Sequence, residues 1–119
     1  MSRKPRTEEE GDTGVVTETK SKPKLKRPKL YKVILHNDNY TTMEFVVAVL
    51  MGVFHKSETD AMAIMLNVHH RGAGVAGVYT YEVAETKVSK TMKLARDAQF
   101  PLLCTLEPDD TDEEREGKD

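Results

Sequence analysis

Asn37, Asp38 and Asn39 form a run of short polar side chains, and His69 stands further along the chain. Asp38 offers a carboxylate, Asn37 an amide oxygen and a neutral His69 a ring nitrogen. Three such acceptors could surround one ammonium group and would serve an amide in its place poorly. The same residue types also make a plain turn and a helix-end histidine, the commoner outcome for these letters. Paired as acid and base, His69 and Asp38 would instead suit a small hydrolase. Residue type alone leaves these readings open.

Other chemistry is poorly provided for. His36, His55, His69 and His70, with Asp38, are the candidate metal ligands. His69 and His70 are adjacent, so on a helix they point about 100° apart and share a metal badly. No HExxH pattern appears, nor a His-x-Asp pattern with a second close ligand. Neither a metal nor a cofactor is expected. Cys104 is the only cysteine. It sits in an alternating strand pattern and reads as core rather than as a reactive thiolate. One cysteine also rules out an intrachain disulfide and a thiolate cluster. There is no GxSxG turn, no GxxxxGK[ST] loop and no GxGxxG turn. A nucleophilic enzyme or a nucleotide-binding one therefore lacks its parts.

Met43, Met51, Met62 and Met65 gather in two neighbouring helical stretches. Methionine fills irregular gaps in cores, and it also lines surfaces that must fit several related apolar groups. Met43 and Val46 on one helix, with Met65 and Val68 on the next, could wall an apolar pocket beside the acceptors. A compact cation carrying an apolar appendage would suit that junction.

The elements that would position these residues are legible. Leu30 to His36 is rich in aromatic and β-branched residues and predicts a strand. After the polar turn, Thr41-Thr42-Met43-Glu44 reads as a capping box, with Thr41 as the cap. The helix that follows, Met43 to Phe54, is apolar on nearly every side. Met43, Val46, Val47, Leu50, Met51 and Phe54 make one stripe, and Phe45, Val49 and Val53 a second. Such a helix must bury both faces or offer one to a partner. Ser57 caps a second helix, whose Glu58 and Asp60 complement its dipole and which ends at Arg71 with Gly72 beyond. Gly72 to Gly74 reads as a loop, Val75 to Tyr79 as a strand, and Tyr81 to about Ala98 as a helix. In that helix Val83, Ala84, Val88, Met92 and Ala95 face one side, with Glu82, Glu85, Lys87, Lys90, Lys93 and Arg96 on the other. Pro101 breaks the chain before a strand from Leu102 to Leu106. The order β-α-α-β-α-β predicts a compact α+β sandwich, a three-stranded antiparallel sheet with three helices on one face.

Charge divides the 119 residues into three parts. Residues 1–29 hold nine Lys/Arg and five Asp/Glu, residues 30–106 hold seven of each, and residues 107–119 hold eight acids and two bases. A basic extension (1–29) and an acidic tail (108–119), both too polar to form a core, are expected to be flexible around a folded domain at 30–107. A domain near that size buries only about 60% of its unfolded surface, which leaves little room for a deep cleft. Basic residues from Lys20 to Lys29 could bind nucleic acid through phosphates. They lack aromatic interleaving, and the folded part has no basic stripe, so a solvated tether is the preferred reading and no nucleic-acid partner is expected. No secretory signal is visible, and the apolar run Phe45 to Met51 is too short to span a bilayer. No membrane association and a reducing cytoplasm are the expectation.

Tyr31-Lys32-Val33-Ile34-Leu35, Asn37-Asp38, Tyr40-Thr41, Met43-Glu44-Phe45-Val46, Met65-Leu66, Val68-His69, Gly77-Val78-Tyr79-Thr80, Glu82-Val83-Ala84-Glu85-Thr86-Lys87-Val88 and Pro101 to Glu107 stand here in order. Together they resemble ClpS, the family of adaptors of the bacterial N-degron pathway. The resemblance covers nearly all of 30–107. It implies a protein without catalytic activity that binds the free amino terminus of proteins starting with Phe, Tyr, Trp or Leu. It would deliver them to a ClpA-type AAA+ unfoldase for degradation by ClpAP. By motif position, Asn37, Asp38 and His69 would hold the α-amino group. Thr41, Met43, Val46, Met65, Val68 and Leu102 would line the side-chain pocket, with Met43 screening out β-branched first residues. Glu82 and Lys87 would dock on the N-terminal domain of the unfoldase, the basic extension would take part in hand-over, and the adaptor would act as a monomer. Two positions depart from the family pattern. Asn39 stands where an aspartate is usual, and Thr42 stands where proline is common before the methionine.

Overall fold

The computed structural model describes residues 27–110. Most of the basic extension and of the acidic tail therefore lies outside the described residues. The element order is β1 (Leu30–His36), α1 (Met43–Gly52), α2 (Glu58–Arg71), β2 (Ala73–Thr80), α3 (Tyr81–Asp97) and β3 (Leu103–Pro108). The three strands form one sheet in the order β2-β1-β3, and both pairings are antiparallel. This is the α+β architecture that the sequence implies.

Alternation along β1 fixes which face of the sheet meets the helices. Val33 and Leu35 are fully buried, while Lys32, Ile34 and His36 between them are only half-buried. A one-residue slip would turn Val33 and Leu35 to solvent, so burial itself specifies the register. On the covered side Val46, Val49 and Leu50 of α1, Ala61, Met65 and Val68 of α2, and Ala84 and Ala95 of α3 complete the core. On the other side His36 Nε2 and Thr105 Oγ1 are hydrogen-bonded at 2.8 Å, and Lys32 pairs with Glu107 at 3.6 Å.

The helix starts differ from the sequence reading in one instructive place. Thr42, not Thr41, caps α1: its hydroxyl accepts from the Phe45 amide at 3.1 Å. Thr41 is drawn away because the Asp38 carboxylate, a stronger acceptor than any neutral group nearby, takes both its amide and its hydroxyl. Ser57 caps α2 as its sequence suggests, accepting from Asp60 N at 3.1 Å, and Gly72 closes it in the left-handed region (φ 93°).

Further boundaries shift for stated reasons. α1 stops at Gly52, and Val53 and Phe54 leave the helix to enter the core. The all-apolar surface of α1 is resolved unevenly: Val46, Val49 and Leu50 are buried, whereas Met43 and Met51 remain 44% and 41% exposed. The expected Gly72–Gly74 loop is instead the beginning of β2, since Ala73 and Gly74 already pair with His36 and Leu35. Gly74 permits this closeness, because a Cβ there would lie 2.9 Å from Val68 Cγ2. Val83 faces solvent rather than the core, and Thr91, read as neither, is fully buried in its stead. Strand β3 starts one residue later than expected and runs on to Pro108, paired with Tyr31.

Thr42→Ala is expected to lower stability by about 1 kcal/mol through loss of the cap. Denaturant unfolding should show a lower midpoint with an unchanged slope, whereas Thr41→Ala should act mainly through the Asp38 turn.

Candidate functional site

The chain leaves β1 at His36 and reverses through Asn37 to Tyr40. Two sets of hydrogen bonds shape that reversal. The Asn37 amide donates to the Gly72 carbonyl at 2.9 Å, which ties the turn to the end of α2. The Asp38 carboxylate accepts from the amides of Tyr40 and Thr41 on Oδ1 and from the Thr41 hydroxyl on Oδ2, each at 2.7 Å. The turn is thus built around a carboxylate and fastened to the last turn of α2, where His69 lies.

The result is one cavity of about 220 Å³ lined by Asn37, Asp38, Asn39, Thr41, Met43, Val46, Met65, Val68 and His69. Its mouth is polar and its inner wall apolar. Asn37, Asn39 and His69 are exposed and Asp38 is half-buried, while Val46, Met65 and Val68 are buried. Sites for drug-sized ligands run to about 300–1,000 Å³, so this one suits a single side chain and its adjoining head group.

Every residue placed at the amine end by sequence reasoning reaches the cavity, and so does each expected pocket residue except Leu102. Leu102 belongs to the hydrophobic core, 3% exposed, and is not among the lining residues. Asn39, noted only as a departure from a family pattern, does line the mouth. The role of Thr41 was legible only in part. Its hydroxyl does not hold the helix but fixes the carboxylate, and the i, i+3 spacing of Asp38 and Thr41 was the available signal.

The electrostatics follow from these contacts. Partial burial is the largest single influence on Asp38 and acts to raise its pKa. The hydrogen bonds from Thr41 and Tyr40 together outweigh it and hold the carboxyl below its ordinary range. A carboxylate has about four acceptor positions. Tyr40 and Thr41 take two on Oδ1 and one on Oδ2, so a position on Oδ2 is left for an incoming donor. Asp38 is then an ionised group at neutral pH, rigidly oriented and already dedicated to the turn.

Other candidates fall elsewhere. The His69 and His70 rings stand edge to face at 5.3 Å, and His36 is engaged on the sheet. Among the described residues no group of three or more His, Cys, Asp or Glu could hold a metal ion. Cys104 is buried in β3, and burial pushes its thiol up to about 12, so it is no nucleophile. Glu82 is exposed in the first turn of α3. Lys87 is half-buried: its ammonium donates to the Val53 carbonyl at 2.7 Å, 5.3 Å from the centre of the Tyr79 ring. Among the described residues no helix is long and apolar enough to cross a membrane.

A family model described as ATP-dependent Clp protease adaptor protein ClpS matches residues 26–105. The chain is 62% identical over 101 residues to the ATP-dependent Clp protease adapter protein ClpS of Myxococcus xanthus, covering 85% of this chain and 94% of that one. To the protein of the same description from Rhodospirillum centenum it is 60% identical over 97 residues, covering 82% and 88%. Among solved structures, Agrobacterium tumefaciens ClpS2 bound to L-phenylalaninamide aligns with a TM-score of 0.68 at 46% identity. That alignment covers 70% of this chain and 100% of the other.

Because the folded-state pKa of Asp38 lies below its unfolded value of about 3.9, its hydrogen bonds add stability above that value, and the contribution is lost as pH falls through the folded pKa. Thr41→Val removes the hydroxyl donor. It is expected to move the Asp38 midpoint upward in a carboxyl-carbon NMR titration, and the stability lost on acidification should be smaller and complete at a higher pH.

Proposed function

Since the chain belongs to the ClpS family of ATP-dependent Clp protease adaptors, we propose that its cavity holds the free amino terminus of proteins that begin with Phe, Tyr, Trp or Leu. The observation that carries this reading is the meeting of Asn37, Asp38 and His69 at the mouth of a cavity whose inner wall is Val46, Met65 and Val68. A protonated α-amine brings a positive charge and three N–H donors. The open position on Asp38, the Asn37 amide oxygen and a neutral His69 nitrogen can receive them. The first side chain then leaves water for the apolar wall, worth about 25 cal/mol per Å² buried. A relative solved with L-phenylalaninamide, which joins a free amine to a phenyl side chain, supports the same division of labour.

In this reading Met43 crowds the rim, where a branched Cβ would have to pass, and so disfavours Ile and Val. The adaptor makes and breaks no bond. Asp38 spends its lone pairs on Thr41 and Tyr40 and does not orient His69 as an acid–base pair would require. Acting as a monomer in the cytoplasm, it hands its cargo to the N-terminal domain of a ClpA-type AAA+ unfoldase, docking through Glu82 and Lys87 on α3. Lys87 enters that contact already held by the Val53 carbonyl, which leaves it part of its donor capacity.

Fluorescence anisotropy with peptides led by Phe, acetyl-Phe and Ile tests the reading. Phe is expected to bind, and acetyl-Phe to bind about ten- to a hundredfold more weakly, because acceptors are left unpaired. Ile should be weak and no peptide should be cleaved. Equal affinity for Phe and acetyl-Phe would overturn it.

Asn39→Asp places a second carboxylate at the mouth. It is expected to tighten the Phe peptide a few-fold at low salt, with the gain shrinking as salt screens it. An unchanged affinity in the variant would mean that Asn39 lies too far from the amine for its charge to matter.

A further inference from the structure

Three thioethers stand on one surface of the molecule. Met43 and Met62 are each 44% exposed and Met51 is 41% exposed. They border an apolar groove of about 470 Å³ between α1 and α2, lined also by Val47, Ala48 and Met65, with Glu44 and Glu58 at its rim. Met43 and Met65 line both this groove and the cavity at the turn. They differ sharply in access, since Met65 is only 5% exposed. Hence one wall of the cavity is a solvent-exposed methionine and the other a shielded one.

We propose that Met43 is an oxidation site through which peroxide lowers the affinity of the cavity for apolar side chains. The step is a two-electron oxygen transfer. The thioether sulfur attacks one peroxide oxygen, the O–O bond breaks, and that oxygen stays on sulfur as the sulfoxide. The other departs as water once the protons are redistributed. The sulfur is oxidised and the peroxide reduced. The product is polar and chiral where the wall was apolar and flexible. In the cavity it would have to be desolvated against Val46, Met65 and a bound side chain, with no donor from those residues. Thiol-dependent methionine sulfoxide reductases reverse the change, taking the oxygen off as water and leaving a disulfide. Met65 is shielded from the same oxidant by α1 and α2, so the response is confined to the outer wall. Cys104, buried and held as a thiol, does not compete for the oxidant.

The inference about affinity rests on the function proposed above, so the test carries two readouts. The full chain and the double variant Met51→Leu/Met62→Leu are treated with hydrogen peroxide. Oxygen uptake at each methionine is then measured by peptide mapping, and the affinity of a Phe-led peptide before and after treatment. Met43 is expected to gain oxygen well ahead of Met65 in both proteins, whatever they bind. Affinity should fall about tenfold, equally in wild type and double variant, and return after reductase treatment. Met43→Leu, at whatever affinity it starts from, should lose none on treatment. Failure of the untreated protein to bind the Phe peptide would sink the proposed function, while the mapping would still decide the oxidation site. The inference is overturned if Met43 stays reduced while Met51 and Met62 oxidise. It is overturned equally if oxidised Met43 leaves affinity unchanged, or if Met43→Leu loses affinity on treatment as the wild type does.

Discussion

One backbone hydrogen bond carries more of this structure than its strength suggests. The Asn37 amide donates to the carbonyl of Gly72, and so the exit of the central strand is fastened to the end of α2. This bond carries the β1–β2 pairing, in which His36 already faces Ala73, one step further, and so holds the polar turn beside the histidine near the end of α2. Gly72 can present its carbonyl there because it adopts a left-handed conformation that closes the helix and redirects the chain into β2. Gly74, two residues on, then lets β2 run close against Val68. Two glycines, neither with a side chain to offer, and one backbone amide therefore set the geometry of the site.

Asp38 is committed first to the turn. Its carboxylate organises the turn by receiving Tyr40 N, Thr41 N and Thr41 Oγ1, and this leaves little acceptor capacity for anything else. In the proposed reading, recognition of a cation is shared with Asn37 and His69 rather than delegated to one charge. Sharing brings selectivity, because a group with one donor cannot satisfy three dispersed acceptors. There the apolar wall would supply affinity without orientation, and the acceptors orientation without much apolar burial. An adaptor of this family needs both, since it must bind its cargo and also release it.

Much of this was legible in the letters. The periodicities of β1 and α2, the Ser57 cap and the Gly72 close appear in the structure as the sequence implies. The acceptor run and His69 also converge as their placement suggested. What remained hidden was competition among polar groups. Nothing local says that Asp38 will take Thr41 from the helix and leave Thr42 to cap it, because that depends on the three-residue reach of the carboxylate in a folded turn. Leu102 shows a second limit. A leucine next to a pocket and a leucine in the core below it look alike in sequence, and only packing separates them. Val83, expected on the apolar side, is exposed, and Thr91, assigned to neither side, is buried. Helical spacing locates a stripe on α3 only to within a residue or so, and the fully buried Thr91 falls inside it.

The central claim is that a turn fastened to a helix end presents a cation site above an apolar wall. An amide NMR titration with L-phenylalaninamide tests it most directly. Shifts concentrated at Asn37, Asp38, Met43, Met65, Val68 and His69, saturating together with one affinity, are the expected result. Shifts confined to α3 or the outer face of the sheet, or none at all at millimolar ligand, would contradict it.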